Sequence, residues 1–142
     1  SDAVAKACEL LKAAGAKRAL PLPVSAPFHS SLLQPASEKL KGYLANIEFN
    51  APTIPVINNV DVAIEQDPAK IRDALVRQAW HAVRWVEIIQ AMKVQGITHI
   101  VECGPGKVLS GMVKRIEPDL VSVSVTDPAS MQVAIDTLTQ AA

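Results

Sequence analysis

Apolar positions recur along this chain in alternating rhythms. Val4, Cys8 and Leu11 follow the spacing of one helix face, and Gly15 is a helix stop. Ala19 to Val24 is apolar but broken by Pro21 and Pro23, so it reads as a short strand suited to a sheet edge. Leu33, Ala36, Leu40 and Leu44 return to helical spacing. Ile54 to Ile57 reads as a short apolar strand between turn signals. Asp67-Pro68 starts a helix well, with Asp as N-cap and Pro in the first helical position, and that helix runs to about Gln78. Trp85, Ile88, Ile89 and Met92 form a further helical stripe that ends at Gly96. Ile97 to Cys103 is a strand running into a glycine turn. Val108, Leu109, Met112, Val113 and Ile116 predict a helix that stops before Pro118. Val121, Val123 and Val125 alternate with Ser122 and Ser124, a strand with one solvated face. Met131, Ala134, Ile135 and Leu138 close the chain with a helix.

Strands alternating with helices after residue 50 predict an α/β fold with a mostly parallel sheet flanked by helices. The first thirty or so residues read as a different unit. Length bounds this reading: 142 residues make one ordinary domain or a piece of a larger one. Hydrophobic residues make up 49% and charged residues 20%, a globular balance. Fourteen basic and fourteen acidic residues give a formal net charge of zero, which favours neither nucleic acid nor an anionic membrane. No apolar run approaches the roughly 20 residues of a membrane span. Cys8 and Cys103 are far apart in apolar contexts, which points to a reducing cytoplasm. The absence of an initiator Met is compatible with a fragment, with trimming or with a chosen boundary.

The most unusual segment is Leu20-Pro21-Leu22-Pro23-Val24-Ser25-Ala26-Pro27-Phe28-His29-Ser30. Each proline fixes its own φ and pushes the residue before it out of the helical region. His29 therefore ends a stiff approach, just before a helical pattern begins. A histidine held that way can be aimed as a general base; the plainer reading is a histidine that caps a turn.

This segment resembles the histidine motif of the malonyl-CoA:acyl carrier protein transacylases and related acyltransferase domains of fatty-acid and polyketide synthases. Three further stretches carry the resemblance in the same order and spacing: Phe49-Asn50-Ala51-Pro52-Thr53-Ile54-Pro55-Val56-Ile57-Asn58-Asn59-Val60-Asp61, Ile71-Arg72-Asp73-Ala74-Leu75-Val76-Arg77-Gln78 and Glu102-Cys103-Gly104-Pro105-Gly106-Lys107-Val108-Leu109. It covers essentially the whole chain but only the C-terminal half of that family. The resemblance implies that residues 1–33 end a small ferredoxin-like subdomain. Residues 34–142 would then be the C-terminal part of a large hydrolase-like α/β subdomain. His29 would lie at the seam between them, where a substrate cleft is expected.

The resemblance further implies two-step acyl transfer. A serine takes the malonyl group from malonyl-CoA, and the pantetheine thiol of acyl carrier protein then takes it from the serine. His29 would be the general base and acid, and the backbone carbonyl of Gln78 the group that orients it. Phe28, directly before the histidine, would line the acyl site and crowd an α-methyl branch; a core aromatic is the plainer reading. No cofactor is expected to stay bound, since coenzyme A and phosphopantetheine arrive on the substrates. Implied partners are malonyl-CoA, acyl carrier protein and the missing N-terminal half.

The nucleophile is absent from this sequence. It sits in a Gly-x-Ser-x-Gly elbow, and none of Ser1, Ser25, Ser30, Ser31, Ser37, Ser110, Ser122, Ser124 and Ser130 has that flanking. The family's malonyl-gripping arginine and its usual oxyanion loop also lie upstream. The chain alone is therefore expected not to form an acyl-enzyme. A fragment reading also predicts exposed apolar surface where the other half packs.

Other features carry less. Gly104-Pro105-Gly106-Lys107 follows a strand and opens a helix, but Val101 stands where a P-loop needs its first Gly, and Val108 where it needs Ser or Thr. A tight strand-to-helix turn explains it. Cys103 reads as a buried structural cysteine. His81 and His99 lack metal-ligand spacing, so no metal is expected. Asn58-Asn59 reads as a turn. Lys39, Lys41, Lys70, Lys93, Lys107, Lys114 and Arg115 are the cations from which a carrier-protein contact would be drawn. The competing function is a non-enzymatic α/β module that binds a carrier protein or an anion at Gly104 to Lys107.

Overall fold

The computed structural model describes residues 2–140. Six α-helices and two strands follow one another as α1 Asp2–Ala13, α2 Gln34–Leu44, α3 Pro68–Gln78, α4 Trp85–Val94, β1 His99–Cys103, α5 Val108–Ile116, β2 Val121–Val125 and α6 Pro128–Thr139. A short 3-10 turn at Ser31–Leu33 leads into α2.

The ends of these helices follow from local chemistry. The Asp67 carboxylate accepts from the Ala69 amide at 2.8 Å and Pro68 occupies the first helical turn, so α3 begins where the sequence places it. Asp127 and Ser130 form a reciprocal capping box at the start of α6. Gly15 and Gly96 take φ of +91° and +83° just after α1 and α4, a region that glycine enters without steric cost.

The strands β1 and β2 pair in parallel from His99 opposite Val121 to Cys103 opposite Val125. Parallel neighbours need a crossover, and α5 supplies it. The core forms where α4 and α5 meet β1: Ile89 and Val113 are fully buried with Leu120, and Trp85, Met92, Ile100 and Ile116 pack around them. Each such aliphatic side chain contributes about 1.5–3 kcal/mol of burial. The fold is thus α/β with a parallel sheet flanked by helices, as the alternation predicts, although among the described residues the sheet has two strands.

Three local expectations are corrected. Ala19 to Val24 forms no strand, because Pro21 and Pro23 have no N–H to give a ladder, and the Val24 amide donates within the segment to the Leu22 carbonyl at 2.9 Å. Ile54 to Ile57 is not a strand either; Pro55 interrupts it, and only Ile57 pairs, in an antiparallel bridge to Ile64. Cys103 is exposed rather than buried, since β1 ends there and the chain turns away through Gly104.

Much apolar surface stays open, as the fragment reading predicts. Within α1 no residue is buried, and Leu10, Leu11, Leu20, Leu22 and Val24 are exposed. No helix among the described residues is long and apolar enough to cross a membrane.

Candidate functional site

His29 sits at a bend, not on regular structure. Its φ is +58°, a left-handed conformation that costs a non-glycine residue roughly 1–2 kcal/mol. Neighbouring interactions hold the bend: the Ser30 hydroxyl donates to the Pro27 carbonyl at 2.7 Å, and the His29 amide donates to the Ala79 carbonyl at 3.3 Å.

The ring is held by the same distant segment. His29 Nδ1 lies 3.0 Å from the Gln78 carbonyl and 3.0 Å from the His81 carbonyl. Gln78 is the last residue of α3, and the carbonyls of a last helical turn have no partner inside the helix. His29 therefore caps a helix about fifty residues downstream. A carbonyl oxygen only accepts, so Nδ1 carries the hydrogen in both bonds. In the neutral ring the lone pair then resides on Nε2. The ring thus caps a helix end through Nδ1, and neither of these bonds involves Nε2.

The end of α3 is clamped on its other side. Arg77 donates to both carboxylate oxygens of Asp61, at 2.8 and 2.6 Å, and its Nε donates to Asp73 at 2.6 Å. This bidentate fork fixes the guanidinium plane. Arg77 holds the Asp61 carboxyl below the usual carboxylate range, and the two carboxylates raise the Arg77 pKa in turn. Asp61 is presented by the turn at Asn58, whose side-chain oxygen accepts from the Val60 and Asp61 amides. Asn58 is thus a turn residue, as its sequence context suggests.

Phe28 is 62% exposed next to His29, so it is not a core aromatic in this structure. A cavity of about 460 Å³ lies beyond Gln78, lined mainly by apolar side chains that include Val56, Ile57, Leu75, Val83 and Trp85. The buried indole nitrogen of Trp85 and side-chain oxygen of Asn59, both at this cavity, have no hydrogen-bond partner.

The Gly104–Lys107 turn is structural. Gly104 and Gly106 have φ of +141° and +110°, and the amides at the start of α5 are already taken. Glu102 accepts from the Leu109 amide at 3.1 Å, the Ser110 amide at 2.8 Å and the Ser110 hydroxyl at 2.8 Å. The Ser110 amide above all holds the Glu102 carboxyl below its usual range. An external anion would have to displace this carboxylate. The sequence includes Glu102 in a stretch of resemblance but gives it no role; its eight-residue reach to Ser110 exists only once β1 and α5 are adjacent.

Other candidates are not brought to His29 by any hydrogen bond. His99 Nδ1 contacts the Thr98 hydroxyl at 2.8 Å. Lys93 is engaged by Glu117 at 2.5 Å and Asp119 at 3.1 Å, and Lys70 by Glu65 at 3.8 Å, so two of the seven sequence cations already have acidic partners. Among the described residues there is no group of three or more His, Cys, Asp or Glu side chains placed to hold a metal ion. Ser1 lies outside the described residues.

No family model matches the chain. Known proteins do. It is 52% identical over 134 residues to the malonyl CoA-acyl carrier protein transacylase of Salmonella typhimurium, which spans 94% of this chain and 43% of that protein. A crystal structure of the acyl-carrier-protein S-malonyltransferase of Burkholderia pseudomallei superposes with a TM-score of 0.87 at 62% identity, covering 94% of this chain and 43% of that one. A type II polyketide acyl-carrier protein in complex with its malonyl-transacylase matches with a TM-score of 0.90 at 49% identity, covering 96% of this chain and 44% of the other. The chain is a relative of the malonyl CoA-acyl carrier protein transacylases along nearly its whole length, and it spans less than half the length of those it matches.

Proposed function

We infer that this chain, kin to part of the malonyl CoA-acyl carrier protein transacylases, carries the histidine base of such an enzyme. The reaction moves a malonyl group from malonyl-CoA to the pantetheine thiol of acyl carrier protein, in fatty-acid or polyketide synthesis in the cytoplasm. Residues 1–33 close the small ferredoxin-like subdomain, and residues 34–142 belong to the large α/β one. The nucleophilic serine comes from a part of the enzyme not contained in these 142 residues.

The observation that carries the reading is the pair of bonds from His29 Nδ1 to the Gln78 and His81 carbonyls, which leaves Nε2 to move protons. In the first half-reaction Nε2 takes the serine proton as the oxygen attacks the malonyl thioester carbon. The carbon–sulfur bond breaks, and the imidazolium returns the proton to the departing coenzyme A sulfur. In the second half-reaction Nε2 takes the pantetheine thiol proton. The sulfur attacks the malonyl ester, and the serine oxygen leaves with the proton. One hard displacement becomes two easier ones. The carbonyls accept from Nδ1–H in both protonation states, so the ring does not have to turn over during the cycle. Phe28, exposed beside the base, lines the acyl site and disfavours an α-branched acyl group. No cofactor remains bound, because coenzyme A and phosphopantetheine enter and leave with the substrates.

Intact masses after incubation with malonyl-CoA test this. In a sample that also holds the complementary polypeptide, that partner is expected to gain the malonyl mass, and His29→Ala in this chain is expected to suppress the gain. Malonyl mass on this chain when it is pure would overturn the reading.

A further inference from the structure

His81 meets the proposed base through its backbone carbonyl, and the proposed reaction has no use for its side chain. The sequence marks it only as a histidine without metal-ligand spacing. In the structure it does two things at once. Its backbone carbonyl is the second acceptor for His29 Nδ1, at 3.0 Å. Its own ring Nδ1 lies 2.8 Å from the Arg77 carbonyl, in the last turn of α3. That carbonyl also accepts from the backbone amides of Trp80, at 3.2 Å, and His81, at 3.1 Å. The His81 ring is further packed against Trp80, with centroids 3.8 Å apart.

These contacts close a loop of hydrogen bonds. The Arg77 side chain is fixed by Asp61 and Asp73, and its carbonyl is fixed by three donors from residues 80 and 81. A turn closed at both ends has its remaining carbonyls aimed in a set direction. Those of Gln78, Ala79 and His81 are the ones that receive His29. The backbone provides two of the three donors to Arg77, the amides of Trp80 and His81, and the His81 side chain adds a second tie from residue 81, whose carbonyl oxygen His29 meets.

We propose that the His81 side chain is a positioning residue: by donating Nδ1–H to the Arg77 carbonyl it aims the His81 carbonyl at His29 and keeps the His29 hydrogen on Nδ1. The inference rests on the reading of His29 as a base for its purpose, though not for its test. It also requires His81 to carry its own hydrogen on Nδ1, since the Arg77 carbonyl only accepts.

Long-range proton–nitrogen NMR of the histidine-labelled full chain reads both tautomers without any turnover. In the unaltered chain, above the pH at which the rings are charged, both His29 and His81 are expected as Nδ1–H tautomers. His81→Ala is expected to lower the ratio of Nδ1–H to Nε2–H at His29 by roughly 2- to 10-fold, the size of one net hydrogen bond. His81→Asn, whose amide can donate to the same carbonyl, is expected to restore it. Finding His81 as the Nε2–H tautomer in the unaltered chain overturns the proposal even if neither variant folds. An unchanged His29 ratio in His81→Ala overturns it as well. Failure of malonyl transfer with these tautomers intact would strike the catalytic reading and leave the positioning role standing.

Discussion

Two regions of this molecule bury their apolar residues very differently. Around β1 and β2, Ile89 and Val113 are fully enclosed by α4, α5 and the sheet. In the first thirty residues α1 buries nothing, and Leu22 is 77% exposed. Both regions have sequences with the apolar periodicity of packed structure. The βαβ segment finds its partner within forty residues, because a crossover helix must lie on the strands it connects. The amphipathic face of α1 has no such local partner. An apolar stripe thus specifies that a surface will be covered, but not by which part of a protein. His29 closes the first thirty residues and is tied to the end of α3 and the turn after it by hydrogen bonds to residues 78, 79 and 81.

The sharpest way to separate the regions is at that tie. In an intact transacylase assembled with this chain, His29→Ala should lower kcat/KM by roughly 10²- to 10⁴-fold, the usual worth of a general base. Gln78→Ala keeps the carbonyl and should cost less than about tenfold, within the range of one net hydrogen bond. Steady-state kinetics of the two variants checks this, and equal losses would break the backbone-orientation argument.

Stability should divide the same way. Ile89→Ala leaves a cavity in the enclosed core and should cost about 2–5 kcal/mol. Leu22→Ser removes a side chain that this chain leaves in water, and should change stability by no more than about 0.5 kcal/mol. Urea unfolding of both compares them directly; a large loss at Leu22 would mean that the first region packs on the second after all.

A smaller effect is expected from acid. Asp61 and Glu102 both have folded-state pKa values below their ordinary ones, Asp61 through Arg77 and Glu102 through the Ser110 amide. Their stabilisation is complete above the unfolded carboxylate values, near 4, and is lost as pH falls through the lower folded values. Glu102→Gln should therefore flatten the acid limb of the stability curve, as followed by circular dichroism between about pH 6 and 2. A limb unchanged in both Glu102→Gln and Asp61→Asn would show that neither carboxylate gains from folding.

Much of this was readable from residues alone. The Asp67-Pro68 start and Gln78 end of α3, the stripe of α4, the alternating valines of β2 and the stop before Pro118 are each set by near neighbours, within the reach of a helical turn or a pleat. The strands expected at Ala19 to Val24 and Ile54 to Ile57 failed for a reason also visible locally, since proline cannot donate to a ladder. The resemblance carried by the motif around His29, rather than its spacing, implied a base oriented by the Gln78 carbonyl, and the structure places that carbonyl 3.0 Å from the ring. What the residues could not fix were meetings across long stretches of chain. Asp61 gripping Arg77, Glu102 taking the amides of α5, Cys103 opening to solvent and His81 sharing the hydrogen of His29 depend on which elements lie side by side. Local sequence determines where α3 and α6 begin, because their Asp caps and first-turn prolines lie within a few residues. Only the packing of those elements decides which carbonyl faces which ring, because a hydrogen bond requires about 3 Å of approach and carries no trace in the spacing of its partners.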